Sequence, residues 1–123
     1  MLPRANRLTS GDAFRRTIRS GLRAGAATLV VHYLCAEPPS GGAAGLDVSP
    51  RVGFVVSKAV GDSVTRHRVQ RRLRHLVRAQ LPRLADSSVL VVRALPAASS
   101  ADSRVLGTDL DDCLGRVLRR SAA

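Results

Sequence analysis

Between Arg66 and Arg78 the chain carries six arginines and two histidines, with no acidic residue among them. A guanidinium group offers five donors in a rigid fork that matches a phosphate edge, so a row of them suits the holding of a polyanion. His67 is placed to donate to a phosphate or stack on a base. No carboxylate lies beside it to fix its tautomer, as a general base would need. His75 is read as solvated. Elsewhere the chain has no Ser-His-Asp set, paired-carboxylate motif or phosphate-binding glycine loop. Asp109, Asp111 and Asp112 form its one acidic cluster, and at the expected start of a helix they read as capping and dipole partners instead of metal ligands. Cys35 and Cys113 are isolated, without zinc spacing, and read as plain thiols in a core strand and a C-terminal helix. The chemistry on offer is binding.

The arginines need a helix to carry them. From Gly61 to Arg83 the apolar residues Val69, Leu73, Leu76, Val77 and Leu81 recur at helical spacing, and at about 100° per residue they share an arc of roughly 140°. His67, Arg68, Arg71, Arg72, Arg74, His75 and Arg78 take the remaining surface. Arg66 falls on the apolar arc, and either reaches past the core from the first turn or pairs inside it with a carboxylate. Gly61-Asp62-Ser63 supplies the break and the N-cap, and Pro82 stands where the helix should end. The preceding run, Arg51 to Lys58, reads as a strand. Arg51, Gly53, Val55 and Ser57 would share one face, small enough for a strand of nucleic acid to approach, with Thr28, Val30 and His32 extending it. Val52, Phe54, Val56 and Lys58 would share the other, with Phe54 under the basic helix.

The rest of the chain gives the order α-β-β-α-β-α. Met1 to Thr9 reads as extended. Ser10 caps a helix over Asp12 to Ser20, in which Phe14 and Ile18 share a face, as core residues or as a platform for a base, and Gly21 ends it. Ala26 to Ala36 reads as a strand with Leu29, Val31 and Tyr33 on one side. Residues 37–50 are rich in breakers and predict a flexible inter-strand loop. Ser88 to Leu95 is an apolar strand expected to be buried on both faces. After a loop from Pro96 to Ser103, Thr108 or Asp109 caps a final helix to about Arg120, leaving 121–123 as a tail. The strand-helix-strand succession predicts a parallel pair, and the first two strands are candidates for an antiparallel hairpin. The fold class is α+β, one domain over residues 1–123.

Composition agrees with a polyanion partner. The chain has 123 residues and a net charge of +11, distributed as +5 over residues 1–36, −2 over 37–50, +8 over 51–85 and 0 over 86–123. A charge present only for solubility would be more even. Arg contributes nineteen of the twenty basic residues, but coding bias accounts for much of that excess. With 2% aromatic residues, Val, Leu and Ala must fill the core. No apolar run approaches the roughly 20 residues of a membrane-crossing helix. The first residues lack the apolar centre of a signal peptide, so a cytoplasmic location is expected.

The segment RVGFVVSKAVGDSVTRHRVQRRLR, Arg51 to Arg74, resembles the bacterial ribonuclease P protein family. That family joins a strand ending in Ser-Lys, a Gly-Asn turn, and a helix opening Arg-Asn-Arg and continuing with basic residues. The corresponding residues are Ser57-Lys58, Gly61-Asp62 and Arg66-His67-Arg68, followed by Arg71, Arg72 and Arg74. Asn6-Arg7-Leu8, the Phe14 helix and the third strand fall in the family's order, so the resemblance covers essentially the whole chain.

The resemblance implies a protein subunit that binds a catalytic RNA and helps it remove the 5′ leader from precursor tRNA. The RNA would carry out hydrolysis with Mg2+ that it binds itself, none being held tightly by the protein. Arg66, His67, Arg68, Arg71, Arg72, Arg74, Arg78 and Lys58 would face the catalytic RNA. Phe14, Ile18, Val30, His32, Arg51, Val55 and Ser57 would line a leader cleft. The partners implied are the ribonuclease P RNA and precursor tRNA, with no membrane and no obligate protein partner. The resemblance also implies a small mixed sheet with a left-handed βαβ crossover, against the usual hand.

The chain departs from the family at His67, Asp62, Gln70 and Ala59, and has Ile18 and His32 where the leader cleft often has aromatics. Six arginines remain, so RNA binding should survive, while leader stacking falls mainly to Phe14. The rival readings are a structural RNA-binding protein of the ribosome or an RNA chaperone, and a small DNA-binding protein. The last is disfavoured by the long apolar third strand and the missing partner helix of a helix-turn-helix.

Overall fold

The computed structural model describes residues 2–35 and 48–122; most of the loop predicted over 37–50 lies outside them. Three helices, α1 (Gly11–Ser20), α2 (Ser63–Gln80) and α3 (Ser103–Ala122), pack on a four-stranded sheet of β1 (Leu22–Gly25), β2 (Leu29–Cys35), β3 (Arg51–Val55) and β4 (Ser88–Ala94). The strand order is β1-β2-β4-β3, with β3 and β4 parallel and the other pairs antiparallel. The mixed α+β architecture and the parallel pair around the basic helix are as the sequence predicts.

The sheet has two differently used faces because side chains alternate along each strand. Leu29, Val31 and Tyr33 of β2, Leu90 and Val92 of β4, and Val52 of β3 enter one core with Val69, Leu73 and Val77 of α2 and Leu106, Leu110, Cys113, Leu114 and Val117 of α3. The three α2 residues have no exposed surface. Leu73→Ala there should cost about 2–5 kcal/mol. The opposite face is covered in part by α1, which lies on β2 and β4.

Several boundaries differ from the sequence reading. The hairpin partner of β2 is β1, and β4 is inserted between β2 and β3. An apolar run buried on both faces belongs in the sheet interior, and Leu90 to Val92 are all fully buried. Strand β1 was missed because Leu22-Arg23-Ala24-Gly25 carries too little apolar signal; Ala26 to Thr28 turn the hairpin, closed by the Ala26 amide donating to the Leu29 carbonyl at 2.9 Å. Strand β3 stops at Val55, so Ser57 and Lys58 stand in the turn that follows.

Helix α3 starts at Ser103, not at Thr108 or Asp109. Asp102 caps it, its Oδ1 accepting from the Val105 amide at 2.9 Å. Gly107 reads as a breaker in sequence but packs against Leu76, where a Cβ would lie 3.3 Å from Cδ2. The helix also continues through Ser121 and Ala122. The run expected to be extended from Met1 to Thr9 is broken by a short 3₁₀ turn at Arg4–Asn6, after which Arg7 and Leu8 join β3, with the Leu8 amide donating to the Val52 carbonyl at 2.9 Å.

Candidate nucleic-acid interface

Helix α2 begins where the chain turns at Gly61, whose φ of +156° and 3.0 Å approach to Thr65 Cγ2 leave no room for a side chain. Asp62 then caps the helix, its Oδ1 accepting from the Thr65 amide at 2.8 Å. That bond, ahead of the nearby Arg68 and Arg66, draws the Asp62 carboxyl below its usual range.

With Val69, Leu73 and Val77 turned inward, His67, Arg71, Arg74, His75 and Arg78 are left exposed. Arg66, Arg68 and Arg72 are half-buried at the edges of the helix. Among the described residues Arg66 has no carboxylate partner, and its Nε is buried without a hydrogen bond, so the alternative of a pair inside the core finds no support there. Arg68 Nη2 donates to the Ser99 carbonyl at 3.3 Å and Arg72 Nη1 to the Ala101 carbonyl at 3.1 Å. Among the described residues no ion pair neutralises any arginine from Arg66 to Arg78. Lys58 is exposed in the turn leading into the helix.

The second set of site residues lies on the α1 side of the sheet. Phe14 is set directly over Gly53 of β3, where an added Cβ would come within 2.2 Å of the ring. The missing side chain therefore makes room for Phe14 and not, as expected, for a strand of RNA. Val30 and His32 face the same side from β2, and Arg51 and Val55 from β3; Ile18 is half-buried on α1. Thr28 does not join them. Its hydroxyl donates to Asp109 Oδ2 at 2.6 Å, on the α3 side. Ser57 lies beyond the strand and is exposed.

His32 is 5% exposed, and its Nδ1 has no partner among the described residues. Burial first, then the charges of Arg93 and Arg23, hold its pKa below the usual 6.5. Arg93, opposite both Val30 and Val55, and Arg23, opposite His32, are cations of this face that the sequence reading missed. The first is hidden in an apolar run and the second lies in the unrecognised strand.

A cleft of about 410 Å³ joins the two regions around the edge of β3. Its walls include Leu8, Phe14 and Phe54, and its rim Arg7, Gln70 and Arg74, so one opening touches both the Phe14 face and the basic helix. The apolar walls and charged rim suit a base with its phosphate outside. Arg7 and Gln70 are additions to the predicted set, although the family resemblance had already touched both, in Asn6-Arg7-Leu8 and in the basic helix.

The acidic cluster is dispersed. Asp109 accepts from Thr28, Asp111 from Arg83 at 2.7 Å, and Asp112 pairs with Arg116 at 3.1 Å. They lie within α3, not at its start, so helix capping is not their role. Among the described residues no group of three or more His, Cys, Asp or Glu comes together in a way that would hold a metal. Cys113 is buried, which raises its thiol pKa, and Cys35 is exposed beside Ser121. No described helix is long and apolar enough to cross a membrane.

Comparison with known proteins places this arrangement. The family model described as Ribonuclease P matches residues 2–118. The ribonuclease P protein component of a Nocardioides species is 53% identical over 117 residues, covering 95% of each chain. That of Corynebacterium diphtheriae is 48% identical over 120 residues, covering 98% of this chain and 99% of its own. The fold is also that of solved structures. The RNase P protein of Staphylococcus aureus superposes with a TM-score of 0.72 at 21% identity, over 92% of this chain and 97% of the other. The RNase P protein of Thermotoga maritima gives 0.68 at 20% identity, over 92% and 96%.

Proposed function

The chain belongs to the ribonuclease P protein family, and from that premise we propose how it serves as the protein component of that endoribonuclease. Its basic helix α2 binds the ribonuclease P RNA, and the α1 face of the sheet, with the cleft at the edge of β3, receives the single-stranded 5′ leader of precursor tRNA. The observation that carries this reading is the row of arginines on α2 left without carboxylate partners among the described residues, within a chain matched by the family model from residue 2 to 118. Like charges crowded on one helix repel until a polyanion neutralises them, and that relief favours the assembled ribonucleoprotein.

The division of labour follows from the chemistry present. The protein supplies cations, hydrogen-bond donors and an apolar platform at Phe14, and the RNA supplies hydrolysis. Mg2+ is bound chiefly by the RNA in this reading, since the aspartates of α3 are already engaged with Thr28, Arg83 and Arg116. By lowering phosphate repulsion the protein reduces the Mg2+ needed to fold and dock the RNA. The protein would act in the cytoplasm, where both RNAs are found. The rival reading, a ribosomal or chaperone RNA-binding protein, has no comparable observation in its favour.

Reconstitution tests it. Added to a bacterial ribonuclease P RNA at low Mg2+, the protein should restore removal of the leader; no stimulation would overturn the reading. For the leader face, Phe14→Ala should reduce the preference for precursor over mature tRNA, and an unchanged ratio would return Phe14 to a packing role alone.

A further inference from the structure

The arginines of α2 are not equivalent. His67, Arg71, Arg74 and Arg78 are exposed and succeed one another at intervals of four, three and four residues, which puts them in one line along the helix. At about 1.5 Å per residue that line is about 16 Å long. Arg68 and Arg72, also four apart, are half-buried on the neighbouring flank, where Arg68 still borders the hollow lined by His67, Arg71 and Arg74. Their guanidinium groups donate to the carbonyls of Ser99 and Ala101, and Arg68 Nε is buried. The chain they hold runs straight into α3: Asp102 follows, accepting from the Val105 amide through Oδ1 and from the Leu106 amide through its carbonyl. Ala98 and Ala101 are buried there, so this turn is packed as well as hydrogen-bonded.

We propose that Arg68 and Arg72 are positioning residues which clamp the turn at Ser99–Ala101 to α2, while contact with RNA is made by the stripe His67-Arg71-Arg74-Arg78. This rests on the reading of α2 as the RNA-binding helix, and it narrows that surface from a plate to a line. The clamp fixes where α3 starts relative to α2, and so holds the stripe and the α3 layer in one register. Each carbonyl partner occupies one N–H donor that a phosphate would otherwise take and fixes the direction of the guanidinium, and the shorter of the two bonds is at Arg72. The narrow stripe predicts RNA laid along α2, not across it.

The experiment replaces charge while keeping a donor. Arg71→Gln and Arg72→Gln are compared with the parent chain in binding to a bacterial ribonuclease P RNA across a salt series. Arg71→Gln should flatten the plot of log affinity against log salt by about 0.7–0.9, one phosphate contact. Arg72→Gln should flatten it by less than half as much. Amide hydrogen exchange without RNA gives the second readout: Arg72→Ala should speed exchange from Ser99 to Leu106, where Arg71→Ala leaves it unchanged. Equal flattening by the two Gln variants, or unaltered exchange in Arg72→Ala, would overturn the proposal. If Arg72→Ala does not fold, the Gln variants still decide. Absence of salt-dependent binding by the parent would defeat the RNA reading itself, and the exchange measurement would still decide whether the clamp exists.

Discussion

Helices α2 and α3 are nearly the same length, 18 and 20 residues, and both carry arginines, yet they use them in opposite ways. On α3 the aspartates and two of the four arginines are matched nearby. Asp112 pairs with Arg116, Asp111 with Arg83, and Asp109 accepts from Thr28, while Arg116 and Arg120 donate to the Gly25 and Arg23 carbonyls of the β1 hairpin. On α2 the exposed arginines form no ion pair among the described residues. A cation whose partner lies in the same chain serves the fold, and one without such a partner is available to another molecule. The net charge shows the same division, +8 over residues 51–85 against 0 over 86–123.

The largest effect should follow from Arg71→Ala, Arg74→Ala and Arg78→Ala combined. The salt slope of RNA binding should flatten by about two to three, with little change in thermal stability. A large loss of melting temperature would place these side chains in the fold and erase the contrast. Next comes Asp109→Ala, which deprives the Thr28 amide and hydroxyl of their acceptor in a part-buried site. It should cost about 1–3 kcal/mol in chemical denaturation and leave the salt slope alone. Arg116→Ala, at a partly exposed pair with one backbone acceptor, should cost about 1 kcal/mol or less by the same measurement.

The smallest effect is expected at His32, which lies on neither helix. Its folded pKa is lowered by burial and by Arg93 and Arg23. The unfolded chain therefore holds more protons just below pH 6.5, and stability is full above that value and declines as pH falls through the folded pKa. His32→Gln should remove that part of the pH dependence in thermal melts, and an unaltered profile would assign it to other groups.

Much of this was legible in sequence for a physical reason. Helix α2 has a long apolar period, a cap at Asp62 and a stop at Pro82, three signals that agree. The parallel β3–β4 pair followed from the helix between them. What was hidden depended on partners distant in sequence. Arg68 and Arg72 look identical to Arg71 and Arg74 until the turn at Ser99 to Ala101 is packed against them. The three aspartates looked like a helix start because Thr108 and Asp109 are residues that can cap a helix, whereas the cap is Asp102. Strand β1 is held by pairing with β2 more than by its own residues, so its four-residue pattern said little. Gly53 was recognised as small, but only the Phe14 ring above it gave the reason. The residues themselves pointed to nucleic acid, while RNA as the partner and the placement of the leader face rested on the family resemblance.

One detail at the margin of the sheet has a consequence for handling and storage of the protein. Strand β3 ends the sheet, and such a strand offers unpaired amides and carbonyls to any extended chain that meets it. Here Arg7 bridges to Val52, the Leu8 amide occupies the Val52 carbonyl, and Asn6 Nδ2 holds the Pro50 carbonyl at 2.8 Å. These few residues act as a selvedge. They occupy backbone groups of the edge that an extended second copy would otherwise pair with, which disfavours edge-to-edge joining at this end of the strand.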